Sequence, residues 1–170
     1  MKKINMSRFI CIGGVLTTLT VLFQSAPVFL PGIGLALSPL STLPVAIAAA
    51  SDILLGAAVF FSSAVLLAVV STQESVILLL TTGLLGIVTG TLLYRKGIII
   101  SILFSSIALF PGIVVLTNII GIPEFKVIKD PLTTLFSLII IFIFSIIYAG
   151  VWNIFLNKFI KYLKKINLRL

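Results

Sequence analysis

Histidine is absent from this 170-residue sequence, cysteine occurs once, at Cys11, and only four residues are acidic. Metal clusters, cysteine–histidine pairs and serine–histidine–aspartate constellations are therefore excluded for want of parts. A paired-carboxylate mechanism could draw only on Asp52, Glu74, Glu124 and Asp130, which fall near the ends of apolar runs, so no enzyme activity and no cofactor is expected. Cys11 sits inside the first apolar run, has no partner for an intrachain disulfide and reads as a buried, inert thiol. No phosphate-binding loop of the Walker type is present. Charge is scarce as well. Charged residues make up 9% of the chain, against roughly a quarter in a soluble domain. Too little polar surface remains to coat a water-soluble globule.

What is abundant is apolar sequence, 60% of the residues. A membrane-spanning helix uses about 20 residues, so the length allows about six spans with short connections. The predicted fold is all-α, a single polytopic transmembrane bundle of about six helices with a broken, proline-rich second segment. The spans are read at 9–23, at 43–50 after a broken stretch over 28–42, and at 53–70, 76–94, 98–120 and 132–156, followed by a basic amphipathic tail over 157–170.

The boundaries come from local signals. Lys2 and Lys3 before the first apolar run resemble a secretory signal, but Gln24 and Pro27 around Ala26 make a poor cleavage site, so an uncleaved first span is expected, ended by Gln24, Ser25 and Pro27. Pro31, Gly32, Gly34, Pro39 and Pro44 follow closely and cannot all sit in one regular helix, because each proline removes an amide donor and clashes with the preceding turn. Irregular backbone at membrane depth must be buried in protein or line a wet cavity. This stretch is thus the strongest sequence pointer to a binding cavity, with Ser38, Ser41 and Thr42 as expected caps for a short helix beginning near Leu43.

Ten of the twelve bases flank apolar runs: Lys2, Lys3 and Arg8; Arg95 and Lys96; Lys158, Lys161, Lys164, Lys165 and Arg169. Such clusters set topology and touch anionic headgroups rather than nucleic acid. With six spans, all three clusters fall on the cytoplasmic side together with both termini. A polar loop over 71–75 and a second over 121–131 then lie outside. A five-span alternative that fuses 43–70 misplaces one of the clusters.

Several residues are open to two readings. Asp52 is either an N-cap for the third span or a functional ion. Gly83, Gly86 and Gly90, beside Thr82, form a small-residue stripe for helix packing, within the bundle or between copies, and Ala46, Ala49 and Ala50 suggest the same for the second helix. Gln24, Ser25, Glu74, Asn118 and Glu124 gather near one membrane face and could line a small-molecule pocket supported by Phe23 and Phe29, or be solvated helix-end residues. Tyr148 and Trp152 read as interface or packing aromatics.

The run PGIGLALSPLSTLPVAIAAASDILLGAAVFFSSAVLLAVVS over 31–71, followed by GLLGIVTG over 83–90, resembles the substrate-binding S components of energy-coupling factor vitamin transporters and the related YybS-like bacterial membrane proteins. The resemblance spans roughly residues 8–155. It implies a compact six-helix body, with Pro44 and Gly56 at comparable places around a short helix. It departs at the first span, which offers only Gly13 and Gly14 where S components commonly carry an alanine-spaced motif for docking to a shared coupling subunit. The expectation is a membrane-embedded, vitamin-like substrate-binding or permease-type subunit without its own ATPase, in contact with the lipid bilayer, a small-molecule ligand and a membrane or coupling-module partner. The alternative is a non-transporting membrane scaffold in envelope or cell-shape processes.

Overall fold

The computed structural model describes residues 6–117 and 131–165. Those residues are helical almost throughout, with no strand among them: α1 (Met6–Phe29), α2 (Ile33–Leu37), a 3-10 turn (Ser38–Ser41), α3 (Thr42–Ser51), α4 (Ile53–Val70), α5 (Thr72–Ile77), a π-helical turn (Leu78–Thr82), α6 (Gly83–Lys96), α7 (Ile98–Val115) and α8 (Pro131–Lys165). Counting 33–51 and 72–93 as single rods, six helices among the described residues are long and apolar enough to cross a membrane. The protein is an all-α, multi-pass membrane bundle. Short connections make successive rods antiparallel, so the turns at 30–32 and 71 lie at one end and those at 52 and 97 at the other.

The first helix outruns its expected end, and Cys11 on it is exposed rather than buried as expected, because it lies on the face of α1 turned away from the bundle. The helix passes through Pro27 to Phe29, and the Leu30 amide still donates to the Ala26 carbonyl at 2.8 Å. Gly34 braces this last turn from α2, where a Cβ would overlap the Ala26 carbonyl oxygen. Gly32, at φ 88°, makes the reversal between the two helices, a conformation that costs a residue with a Cβ.

The proline-rich stretch also differs from its expected form. Rather than unwinding, it tightens: Pro39 opens the 3-10 turn and Pro44 falls in the first turn of α3, where a missing amide hydrogen is tolerated. Its polar side chains do not cap, and α3 has no side-chain capping hydrogen bond. Thr42 Oγ1 donates back to the Pro39 carbonyl at 2.6 Å, and Ser41 turns to another helix. Nor is the stretch lipid-facing along its length, since Ser38, Ser41, Thr42, Pro44, Val45, Ala46, Ala48 and Ala49 are buried.

Burial follows from α3 lying at the centre, packed against α1, α4 and α6. Small residues permit this. A Cβ on Gly86 would sit 2.9 Å from Val45 Cβ, one on Gly90 would overlap the Ala46 carbonyl oxygen, and one on Gly56 would sit 2.6 Å from Ala49 Cβ. The glycine stripe of α6 is thus seated on α3 within one chain, while Gly83 faces the Phe60 ring of α4. Val45, Ala48, Leu55, Val59 and Phe60 form one core cluster. Ala46, Leu85, Ala149, Trp152 and Leu156 form another, which ties α3 and α6 to α8 and places Trp152 in the interior.

Asp52 caps α4: its Oδ1 accepts from the Leu54 amide at 2.8 Å. Only Ser71 separates α4 from α5, and its Oγ accepts from the Glu74 amide at 3.4 Å. The expected loop over 71–75 is therefore the first turn of a helix, and Glu74 and Ser75 are buried. The physical reason is legible afterwards, because Ser71 and Glu74 stand at the serine-x-x-glutamate spacing of a capped helix start. At the other end of the chain, α8 runs 35 residues, about 52 Å, with no break at Asn157, so the expected tail begins inside the same helix. Asn118, Glu124 and the rest of 118–130 lie outside the described residues.

Candidate functional site

Gln24 is fully buried five residues before the end of α1, and its amide joins three other elements. The Nε2 group donates to Glu74 Oε2 at 2.8 Å. The Oε1 atom accepts from Ser41 Oγ at 2.7 Å and from Thr82 Oγ1 at 2.9 Å. All four residues are less than a tenth exposed. A single side chain thus fastens α1 to the 3-10 turn, to the first turn of α5 and to the π turn. Such a network, if only partly satisfied, would be among the costliest features of a membrane interior.

Each donor reaches the amide through a local departure from regular helix. Ser41 does so because the 3-10 turn ends there rather than being capped. Thr82 does so through the π turn. In a regular helix of about 100° per residue, Thr82 would lie about 80° around from Glu74, whereas the extra residue of a π turn reduces the offset to about 20°. The insertion brings the hydroxyl onto the carboxyl's face. It also shifts the backbone outward, and α7 accommodates this with Gly112, where a Cβ would overlap the Leu80 carbonyl oxygen. Close passage of a Cα hydrogen to a carbonyl is mildly favourable in itself.

Neighbouring polar side chains are satisfied nearby. Ser75 Oγ donates to the Ala64 carbonyl at 2.7 Å, Ser25 Oγ to the Leu22 carbonyl at 3.3 Å, and the Thr17 and Ser62 hydroxyls pair at 2.8 Å between α1 and α4. A second buried link, remote in the chain, runs from Ser101 Oγ on α7 to Asn153 Oδ1 on α8, with Asn153 Nδ2 donating to the Ala149 carbonyl at 2.8 Å.

Of the residues expected to line a pocket, Gln24 and Glu74 are in direct contact. Phe23 is half-buried on α1, whereas Phe29 is 68% exposed and takes no part in the network. Asn118 is outside the described residues. In the sequence Ser41 reads only as a cap and Thr82 only as part of the glycine stripe, and nothing there singles out Ser101 or Asn153. Hydroxyl and amide residues within apolar runs were the available signal. Nothing local says which of the many serines and threonines meet a partner across the bundle. Compared with protein-family models, with curated proteins and with solved structures, the chain matches none.

Proposed function

We propose that this protein is a membrane-embedded binding subunit for a small, vitamin-like molecule, of substrate-binding or permease type, energised by a separate partner rather than by an ATPase of its own. The observation that carries this reading is the network around Glu74. An ionisable side chain held inside a bundle of spans is rare and usually marks a substrate or ion pathway. Here it is combined with a rod at 33–51 that tightens into a 3-10 turn midway, and with a π turn, a device frequent at functional positions. In this reading the protein sits in the cell membrane with both termini cytoplasmic, an orientation that the distribution of bases supports, and the network lies toward the outer face, where a captured substrate would arrive. The likeness of 31–71 and 83–90 to S components of energy-coupling factor transporters and to YybS-like proteins agrees with this reading.

A ligand screen on the purified protein in detergent tests it. A compound that binds only the folded form raises the apparent melting temperature in step with its concentration. The expected outcome is stabilisation by a small polar molecule, lost in Thr82→Val. No stabilisation across a vitamin-like panel, together with co-purification of envelope proteins, would overturn the transporter reading in favour of the scaffold.

A further inference from the structure

We propose that the flank of α8 beside α3 and α6 is a binding site for one anionic glycerophospholipid, with its acyl chains laid along a row of aromatic rings and its phosphate held between Lys96 and Lys158. The inference is independent of what the protein binds near Glu74.

At about 100° per residue, Phe144, Tyr148, Phe155 and Phe159 fall within one sector of α8 about 60° wide. Their rings form a continuous row through Trp152, with centroids 5.7 Å apart from Phe144 to Tyr148, 6.3 Å from Tyr148 to Trp152, 5.7 Å from Trp152 to Phe155 and 6.3 Å from Phe155 to Phe159. Trp152 is buried, Tyr148 and Phe159 are half-buried, and Phe144 and Phe155 are exposed. The row therefore runs along the edge of the packed face of α8. On the protein side it meets Leu40, Leu43 and Leu93, which pack with Tyr148 against the cluster that holds Trp152 and Leu156. Its other side is open.

The contacts of Ser101 with Asn153 and of Phe110 with Phe142 set α7 antiparallel to α8. Five residues after Asn153 comes Lys158, and five before Ser101 comes Lys96, so the two lysines stand at one level. Lys158 follows Phe155 by three residues and is its neighbour on the surface of α8, while Lys96 follows Leu93 by three at the end of α6. Both are exposed, and they bracket the end of the ring row from its open side and its protein side. Among the described residues the acid at that end is Asp52, whose Oδ1 is engaged by the Leu54 amide. Tyr148 and Phe159 are separated by a rise of about 16 Å, against about 15 Å for half of the hydrocarbon core. The inner part of the row is thus as long as one leaflet is deep, and the lysines stand where the headgroups of that leaflet lie.

Shape selects an acyl chain over a further helix. Close approach of helices in a membrane relies on small residues, and the sector from Phe144 to Phe159 holds none, whereas a flexible hydrocarbon chain conforms to ring faces and gathers many dispersion contacts. Charge selects the headgroup. Two lysines favour a phosphodiester that brings no cation of its own, each by about fivefold.

Native mass spectrometry of the full-length protein, released from neutral detergent after adding phosphatidylglycerol and phosphatidylcholine with identical acyl chains in equal amounts, tests the site. The expected result is one retained phosphatidylglycerol per protein, at a preference of about 30-fold from the two lysines together. That preference should fall about fivefold in Lys96→Gln or Lys158→Gln and vanish when both are changed. Phe144→Ala combined with Phe155→Ala should weaken retention of both lipids and leave the preference in place. Lys161→Gln, about 100° around α8 from the row, should change neither. Four results would overturn the proposal: equal retention of the two lipids, an effect of Lys161→Gln as large as that of Lys158→Gln, displacement of the lipid by millimolar inorganic phosphate, or a lipid-free dimer in place of the lipid-bound monomer.

Discussion

Replacing Gln24 by leucine removes three hydrogen bonds, at 2.7, 2.8 and 2.9 Å, from a position with no exposure, while leaving a side chain of similar size. Hydrogen bonds between membrane helices average about 0.6 kcal/mol each, which gives about 2 kcal/mol for the three. The partners do not suffer equally. Ser41 and Thr82 can turn to carbonyls of their own helices, whereas the buried Glu74 carboxyl loses an interhelical donor, a further loss of about 1–3 kcal/mol. A total of about 3–5 kcal/mol is expected, measured by reversible unfolding in mixed micelles. The decisive comparison is with Gln24→Leu combined with Glu74→Leu. Removing both partners also removes the carboxyl that has lost this donor, so the double variant should be more stable than the sum of the single losses predicts, by at least about 1 kcal/mol. A loss below about 0.5 kcal/mol in Gln24→Leu, or strict additivity in the double variant, would refute the claim that Gln24 and Glu74 form the centre of one network.

Gly112→Leu should destabilise by about 3 kcal/mol or more in the same assay, because its Cβ meets the Leu80 backbone rather than a movable side chain, whereas Gly14→Leu, with open space around it, should be within about 0.5 kcal/mol of the parent. Ser63 and Ser105 have buried hydroxyls without a partner, so Ser105→Ala should leave stability unchanged or raise it by up to about 1 kcal/mol in thermal unfolding. Asp52→Ala should cost about 1 kcal/mol through loss of the α4 cap, with an equal loss in Asp52→Leu if the carboxylate has no second role. For topology, a cysteine at the exposed Gln73 in a Cys11→Ser background should react with an impermeant thiol reagent on intact cells, and one at Lys96 should not. Labelling at Lys96 would invert the orientation.

By itself the sequence determined the class of the protein and the approximate places of its spans. Transfer of a side chain from water to hydrocarbon is a property of that side chain, and summed over about 20 neighbours it decides whether a helix belongs in a bilayer. The same locality made the cap at Asp52 readable, along with the small residues of α6 that let helices approach. Helix ends were less legible, since Pro27 would ordinarily stop α1, yet the helix runs on to Phe29, where Gly34 packs against its final turn. Only the tertiary structure decided what the polar residues do. Glu74 looked like a loop residue from its neighbours, yet Ser71 starts a helix there and turns the carboxyl inward. Gln24 meets its partners across 17, 50 and 58 residues of chain, and the third contact also requires a π turn that no propensity announces. A buried hydroxyl or amide in hydrocarbon must find a partner, but its identity is set by which backbones pass within 3 Å. That is decided by the packing of α1, α3 and α6 as a whole.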